Sequence, residues 1–192
     1  MRLLIHICCA PCSIYPIRVL REKNYDLQGY FFNPNIQPYQ EYSRRLAALQ
    51  YYAAQIHLPL LVAPGYEIEY FLRQVVYREK NRCRFCYGLR LEQAARTAKA
   101  VGATAYTTTL LFSRYQQHDL IRELGFQIGL DIGIAFYYDD FRSGWREGID
   151  TSKKLGLYRQ QYCGCIYSEK DRYYRENLPS EGVPPAKGVD AL

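Results

Sequence analysis

The sequence predicts an α/β fold, a three-layer Rossmann-like sandwich built on a mostly parallel five-stranded sheet. Short apolar runs alternate along the chain with segments whose apolar residues recur at helical spacing, which is typical of βαβ units. Turn signals close these runs and keep each of them to the length of a strand. With 192 residues, 48% of them hydrophobic, the chain is long enough to bury one substantial core.

Five apolar runs are predicted as the strands of this sheet. The first is short and is followed at once by two cysteines and a helical pattern. The second ends at the turn signal Asn33-Pro34-Asn35, and the third is closed by Pro64-Gly65. The predicted strands cover Leu3–Ile7, Gln28–Phe32, Leu58–Val62, Ala105–Leu111 and Ile132–Tyr138.

Helical spacing of apolar residues predicts the connecting elements. The predicted helices cover Ile14–Glu22, Tyr39–Ile56, Tyr66–Tyr77, a long amphipathic stretch that follows Cys83 and Cys86, and His118–Ile128. Residues Arg142–Leu155 fit either a loop or a helix. One domain is predicted over residues 1–178, because Pro179–Leu192 is rich in proline and glycine and is predicted to be disordered.

Composition narrows the classes of function. The net charge is +6, and 20 tyrosines accompany 25 Lys and Arg, a combination that suits RNA binding through phosphate pairing and base stacking. No apolar stretch approaches the roughly 18 residues needed to span a bilayer, and the N-terminus does not follow the pattern of a signal peptide. We therefore predict a cytoplasmic protein. The glycine-rich motifs of ordinary nucleotide-binding enzymes are missing, and cysteines stand where a phosphate loop would lie.

Seven cysteines in a cytoplasmic protein favour metal or redox chemistry over a disulfide framework. Three of them, Cys8, Cys9 and Cys12, lie where the first strand passes into the first helix. Open α/β sheets bind ligands at the carboxyl ends of their strands, and the positive end of a helix lowers thiol pKa values there. These thiols are candidate metal ligands or nucleophiles, with Cys12 either in the same centre or a spectator.

Cys83 and Cys86 form a C-x-x-C, a spacing that lets two thiolates bind one metal centre. With Cys8 and Cys9 they supply the four thiolates that a four-iron, four-sulfur cluster or one tetrahedral zinc ion requires. A dithiol redox pair is the third interpretation. The adjacency of Cys8 and Cys9 favours the cluster, because neighbouring side chains point in different directions and reach different irons more easily than one small ion.

Cys163 and Cys165 are separated by Gly164 alone, which offers little steric resistance to bringing two thiols together. A disulfide across one intervening residue is strained and therefore easily reduced. The pair fits a redox-active disulfide better than a structural one. Ligation of an additional metal ion is the alternative interpretation.

Polar residues predicted at the same edge of the sheet complete the candidate site. His118 is either a phosphate or substrate contact or a solvated helix end, and Asp140 and Arg142 either touch the substrate or cap a helix. By contrast, His6 is predicted as a packed core residue and Arg45 as part of a solvated helix face. The predicted substrate-binding residues are Ser113, Arg114, His118, Asp140, Arg142, Tyr158 and Arg159.

Six ordered motifs carry a resemblance to a known family. They are Leu4–Cys12, Phe32–Ile36, Cys83–Tyr87 with Arg90-Leu91, Thr107–Leu111, Asp140–Arg142 and Gly156–Cys165. Over about residues 2–170 the chain resembles the cobalamin-independent epoxyqueuosine reductases, the QueH family. The resemblance implies a cytoplasmic iron–sulfur enzyme with a fold related to the nucleotide α-hydrolases. The implied reaction is the last step of queuosine synthesis, reductive removal of the epoxide oxygen of epoxyqueuosine in the anticodon loop of tRNA.

The same resemblance implies roles for the cysteines. Cys163 and Cys165 are similar to the family's redox-active pair, or to ligands of a neighbouring iron ion. Some members carry an aspartate at the position of Cys12 and use it as a ligand, so Cys12 is a further candidate that would displace one of the four. The implied ligands of the 4Fe-4S cluster are Cys8, Cys9, Cys83 and Cys86.

The implied partners are a tRNA that carries epoxyqueuosine and an external electron donor, since the reaction consumes two electrons and a cluster passes one at a time. Two other classes of function remain as alternatives. One is a zinc-bound RNA-binding module without catalysis, which would purify as a colourless zinc protein. The other is a thiol–disulfide oxidoreductase, which would need no metal.

Overall fold

The computed structural model describes residues 1–175 and confirms the predicted three-layer Rossmann-like sandwich. Within this range one sheet of five parallel strands has the order β3-β2-β1-β4-β5. The predicted disordered stretch 179–192 and the predicted domain boundary at 178 lie outside the described residues. The strands are β1 (Arg2–His6), β2 (Asp26–Phe31), β3 (Leu60–Val62), β4 (Ala105–Thr108) and β5 (Ala135–Phe136).

Seven α-helices accompany the sheet within residues 1–175. They are α1 (Ala10–Glu22), α2 (Tyr39–Gln55), α3 (Ile68–Val75), α4 (Arg82–Ala100), α5 (His118–Ile132), α6 (Trp145–Lys154) and α7 (Ile166–Tyr173). Helix α1 packs against α2 and α6, whereas α4 packs against α5. None of these helices is both long enough and apolar enough to cross a bilayer.

The strand order reverses direction at β1, and this reversal positions the site. Strands β2 and β3 extend the sheet on one side of β1, and β4 and β5 extend it on the other. Because parallel crossovers are right-handed, the helices before and after the reversal fall on opposite faces, and a crevice opens between the carboxyl ends of β1 and β4. His6 pairs with Thr108 at those ends. The residues that follow His6 and Thr108 therefore meet at the switch point.

The core is centred on β1, which is covered on both faces. Leu3, Leu4 and Ile5 are fully buried, as a central parallel strand requires. His6 is equally buried and its ring nitrogens lie 2.9 Å from Thr108 Oγ1 and 3.0 Å from Phe32 O. Burial lowers the His6 pKa to about 3, so the ring is neutral. It is a packed core histidine, as predicted.

Two helix boundaries differ from the sequence prediction near the cysteines. Helix α1 begins at Ala10 rather than at residue 14, because Pro11 is tolerated in a first turn whose N–H groups have no partner within the helix. Cys12 therefore lies inside α1. Cys83 and Cys86 were predicted to precede α4, but they lie within its first two turns.

The other boundary differences have local causes. The Thr108 hydroxyl accepts the Leu110 N–H at 3.1 Å and starts a 3-10 turn over Thr109–Phe112, which ends β4 three residues early. Helix α5 runs to Ile132, where left-handed Gly133 ends it, and leaves two residues for β5. The ambiguous stretch Arg142–Leu155 is mostly α6.

Candidate metal centre

Three thiols meet at the switch point and form the cysteine triad, Cys8, Cys9 and Cys12. Cys8 follows β1, Cys9 is the extended N-cap residue of α1, and Cys12 lies in its first turn. Their sulfurs lie within 4.8 Å of one another, with 3.8 Å between Cys8 and Cys9. Among residues 1–175 no other three His, Cys, Asp or Glu side chains bring their ligand atoms this close. Three buried thiols at the positive end of a helix are suited to binding a metal as thiolates.

Two side chains from distant parts of the chain hold the triad sulfurs. Thr109 Oγ1 donates to Cys8 Sγ at 3.3 Å and accepts the Cys8 N–H at 3.1 Å, so it joins the ends of β1 and β4. Gln160 Nε2 lies 2.9 Å from Cys9 Sγ and 3.5 Å from Cys12 Sγ. Hydrogen bonds to sulfur stabilise thiolates and tune the potential of a thiolate-bound metal. The buried Gln160 Oε1 has no hydrogen-bond partner within residues 1–175, so an unbonded oxygen lies beside the triad there.

The three triad thiols differ in their pKa values. Hydrogen bonds from Cys12 and Cys9 hold the pKa of Cys8 well below its usual range, and the positive charge of Arg90 acts in the same direction. Burial raises the pKa of Cys9, and the hydrogen bond to Cys8 raises that of Cys12. Cys8 is therefore the triad thiol that loses its proton most readily, and a bound metal would displace the protons of the others.

The other four cysteines form the second thiol group, Cys83, Cys86, Cys163 and Cys165. Cys86 and Cys165 belong to one buried cluster with Phe71 and Val75 of α3. Burial raises the pKa of Cys86 to about 12, and the nearby Cys163 and Cys165 raise it in the same direction. The first turns of α4 and the Cys163–Cys165 loop thus meet although 80 residues separate Cys83 from Cys163 along the chain.

Arg90 of α4 connects the two groups. Its Nη1 lies 3.8 Å from Cys86 Sγ, and its Nη2 donates to Asn33 Oδ1 at 2.6 Å. Asn33 in turn donates to the carbonyl of Ile7, the residue before Cys8. Arg90 is 2% exposed, and no carboxylate within residues 1–175 lies within 4.0 Å of it. A buried charge without a counter-charge costs several kcal/mol, of order 3–5, so thiolates are the natural counter-charge here.

The structure brings together a different set of thiols from the predicted quartet. Cys12 joins Cys8 and Cys9 in one tight group, whereas Cys83 and Cys86 lie outside it and are linked to it through Arg90. The cysteine triad fits a thiolate-bound metal for three reasons. Its thiols are buried, and hydrogen-bond donors point at their sulfurs. The buried Arg90 nearby has no carboxylate partner within residues 1–175. Ligation by Cys83 and Cys86 stays a prediction.

The Cys163–Cys165 loop depends on the glycine at its centre. Gly164 has φ +147°, and a Cβ there would lie 3.0 Å from Asn35 Nδ2 and 3.1 Å from Ile36 Cγ1. Its carbonyl accepts the Gln37 N–H at 2.8 Å, which ties the loop to the segment after β2. Cys163 is exposed, with Gln116 Nε2 3.3 Å from its sulfur, whereas Cys165 is buried. The loop therefore contains one exposed and one buried cysteine residue.

A buried ion pair between Arg45 and Glu41 supports this loop. The sequence prediction of a solvated position for Arg45 was wrong. Arg45, predicted on a solvated face, is 1% exposed and pairs with Glu41 at 2.6 Å. Its other guanidinium nitrogens donate to the carbonyls of Cys163 at 2.8 Å and Tyr162 at 3.0 Å. The Tyr158 hydroxyl donates to the second oxygen of Glu41. Glu41 and Arg45 thus bind both ends of the motif Gly156–Cys165. The i,i+4 spacing of these two residues was the sequence signal for an ion pair on α2.

We expect Gly164→Ala to displace the loop without unfolding the domain. The added Cβ meets a disfavoured φ and two close neighbours, so the cost should be about 1–3 kcal/mol. Gly102→Ala is the control, because Gly102 also has positive φ, +69°, but has open space around its Cβ. Thermal unfolding together with the rate of Cys163 alkylation would separate the effects. Equal alkylation rates in both variants would contradict the tight fit of Gly164.

The predicted substrate-binding residues fall into two places. After β4, Ser113 is buried and its Oγ accepts the Tyr115 N–H, while Arg114 is exposed. In the last motif, Tyr158 is committed to Glu41, while Arg159 is exposed. Their contact with substrate stays a prediction.

The remaining three predicted residues lie close together near the start of α5. His118 Nε2 lies 3.1 Å from the Tyr138 hydroxyl, and its buried Nδ1 has no hydrogen-bond partner in the described part of the chain. Burial lowers the pKa of His118, and Arg142 lowers it further. Arg142 pairs with Asp140 at 2.6 Å and holds the Asp140 pKa at about 2. Asp140 also accepts the Arg142 N–H, so it caps the 3-10 turn Phe141–Gly144.

Together, the parallel sheet and the buried thiols at its switch point define a Rossmann-like α/β protein with a cysteine-rich candidate metal site. A solved structure of a predicted subunit of tRNA methyltransferase from Methanocaldococcus jannaschii has the same fold, with a TM-score of 0.51 at 12% identity over 79% of this chain and 74% of that one. The family model for epoxyqueuosine reductase QueH matches residues 3–171, and the chain belongs to this family.

Curated relatives agree with this membership. The epoxyqueuosine reductase QueH of Dehalococcoides mccartyi is 34% identical over 179 residues, which cover 93% of this chain and 98% of the relative. The protein of the same name from Thermotoga maritima is 36% identical, with 88% of this chain and 91% of the relative covered. The resemblance carried by the six motifs is therefore confirmed at the level of the family.

Proposed function

We propose that this chain is an epoxyqueuosine reductase, an oxidoreductase that removes the epoxide oxygen of epoxyqueuosine in the anticodon loop of tRNA. The observation that carries the proposal is the match of the family model over residues 3–171, nearly all of the described fold. The seven cysteines support it, because they converge in two groups at the carboxyl edge of the sheet. We place the reaction in the cytoplasm, where such thiols stay reduced.

The triad, with Cys83 and Cys86 as further candidates, would hold the metal of this enzyme as thiolates. We propose a 4Fe-4S cluster with one additional iron ion as a second metal. Bound there, such a centre would supply one-electron transfer and Lewis acidity toward an oxygen. A tetrahedral zinc ion is the second candidate, since two 2.3 Å metal–sulfur bonds at a tetrahedral angle separate their sulfurs by about 3.8 Å, the Cys8–Cys9 spacing.

In this proposal, cysteines of the chain itself supply the electrons and protons that the reaction consumes. Conversion of the epoxide to an alkene and water consumes two electrons and two protons. Oxidation of the Cys163 and Cys165 thiols to a disulfide delivers both, and an external electron donor then reduces the disulfide. Gln116 contacts the Cys163 sulfur, and Arg45 binds the backbone carbonyl of the same residue. The tRNA would present its modified base to this loop, splayed out of the anticodon stack.

The direct test uses anaerobically purified protein, a chemical reductant and tRNA that carries epoxyqueuosine, with nucleoside analysis of the product. We expect queuosine to accumulate with epoxyqueuosine consumed in equal amount. A colourless zinc protein that binds the tRNA and leaves the epoxide intact would favour the zinc-bound RNA-binding module. A metal-free protein that reduces a disulfide substrate and leaves the epoxide intact would favour the thiol–disulfide oxidoreductase.

A further inference from the structure

Two tyrosine side chains stand out by their exposure. Tyr77 is 94% exposed and Tyr115 is 81% exposed, the two highest values for any aromatic side chain within residues 1–175. Aromatic rings usually bury most of their surface, because their burial is strongly favourable. A single exposed apolar residue is common on a protein surface. These two exposed tyrosines, however, lie in the same region of the protein, and that shared location requires an explanation.

Both tyrosines belong to chain segments that contact the second thiol group. Val75, two residues before Tyr77, is fully buried in the cluster that contains Cys86 and Cys165. Gln116, directly after Tyr115, bonds the Cys163 sulfur at 3.3 Å. The two tyrosines therefore belong to two separate connections, one after α3 and one after β4, whose neighbouring residues reach the same thiols. The Tyr115 ring itself packs edge-on against Trp145, with 5.6 Å between the ring centroids.

The backbone at Tyr77 holds its ring outward at a cost. Tyr77 has φ +61°, a left-handed conformation that disfavours side chains with a Cβ. Its N–H donates to Glu79 Oε1 at 3.0 Å, which fixes this turn. Strained residues of this kind are concentrated at sites of function. Tyr77 also lines an open hollow whose other lining residues are apolar (Leu72, Val76), basic (Arg73, Arg78) and, in one case, acidic (Glu69).

The surroundings of the two rings carry positive charge. The segment 73–84 contains five basic side chains and one acidic side chain, Glu79. Arg82 pairs with Asp171, and Arg84 lies 3.3 Å from Glu123. Within residues 1–175, four neighbouring basic side chains have no carboxylate within ion-pair distance, namely Arg73, Arg78, Lys80 and Arg114. Unpaired cations interleaved with exposed aromatic rings are the features that bind single-stranded RNA.

We infer that Tyr77 and Tyr115 form a stacking surface for the anticodon loop, with one ring against a base on each side of the nucleotide that enters the thiol site. This inference rests on the proposed function, which supplies the RNA. Stacking holds the neighbouring bases while Arg73, Arg78, Lys80 and Arg114 bind their phosphates. The modified base is thereby separated from its neighbours and directed toward Cys163.

The test compares Tyr77→Ala, Tyr115→Ala, Tyr77→Phe and Tyr115→Phe with the wild-type chain. Tyr51→Ala is the matched control, because Tyr51 is 60% exposed near the C-terminal end of α2, at the opposite edge of the sheet. The probe is a fluorescent anticodon stem-loop RNA, with Kd measured from low to moderate salt. Each Tyr→Ala variant should bind about tenfold more weakly, equal to about 1.4 kcal/mol. The phenylalanine variants and the control should bind as the wild type does.

The salt dependence separates stacking from a general disturbance of the surface. The slope of log affinity against log salt counts phosphate contacts, so it should be unchanged in the Tyr→Ala variants and smaller in Arg73→Gln with Lys80→Gln. Wild-type affinity in both Tyr→Ala variants, or an equal loss in the phenylalanine variants, would overturn the stacking surface. If the wild type binds RNA through these rings but leaves epoxyqueuosine intact, the surface stands and the proposed function fails.

Discussion

Cys163→Ser should abolish turnover of epoxyqueuosine, with a loss of at least about 100-fold, while the protein keeps the broad visible absorption of its metal centre. Serine has nearly the shape of cysteine, so the loop should keep its contacts with Arg45 and Gln37. A hydroxyl cannot form the disulfide that the proposed reaction produces. Cys163 is exposed at the protein surface and lies outside the triad, so its loss should not release the metal.

Single-turnover assays on anaerobic protein measure this effect, with absorption spectra recorded on the same samples. Gln161→Ala is the control, because Gln161 lies in the same loop and the one side-chain hydrogen bond that it makes within residues 1–175 is to the Arg159 carbonyl. Cys165→Ser should lose turnover as well. Full activity in either serine variant would show that the pair does not take part in the reaction. Loss of the visible absorption in Cys163→Ser would instead place this cysteine among the metal ligands.

Arg90→Met should weaken retention of the metal by at least about tenfold and shift the midpoint potential of a reducible centre to more negative values. Arg90 is a buried cation with only Asn33 and Cys86 as partners in the described part of the chain. Its charge offsets the negative charge of the thiolates, most strongly in the reduced state. At an effective dielectric constant of about 20, a charge pair 4 Å apart is worth about 4 kcal/mol.

Metal content after gel filtration and a potentiometric titration measure the two effects, and a tenfold change for one electron equals about 59 mV. Arg90→Lys should retain the metal better than Arg90→Met, because it keeps the charge while losing the fork geometry. Arg96→Met is the control on the same helix, since Arg96 is exposed and pairs with Glu92. A methionine variant with unchanged metal content and unchanged potential would refute the role of Arg90 as counter-charge.

The sheet and the cysteine triad follow from local signals in the chain. The apolar run that ends at Ile7 predicts β1 to within one residue at each end, because a central parallel strand is apolar on both faces. The triad follows from position alone, since residues after the first strand of a doubly wound sheet reach the switch point. Local signals failed at β5, where α5 continued to Gly133 and left two residues of the predicted seven.

The side chains that hold the thiols and their loops in place could not be predicted from local signals. Arg45 lies on a helix rich in polar residues, and its burial depends on the Cys163 carbonyl, 118 residues further along the chain. Gln160 approaches Cys9 across 151 residues, and Arg90 approaches Asn33 across 57. Such contacts arise from tertiary packing, and a single sequence carries no periodic signal for them. The pairing of the second thiol group has the same origin.

Iron and acid-labile sulfide analysis, combined with electron paramagnetic resonance of the reduced protein, tests the central claim most directly. The claim is that the cysteine triad, with Cys83 and Cys86 of α4 as further ligands, holds an iron–sulfur centre at the switch point. Anaerobically purified protein should contain about four sulfides and at least about four irons per chain, and Cys8→Ser should lose both. A colourless preparation with stoichiometric zinc, no sulfide and no paramagnetic signal on reduction would contradict the account.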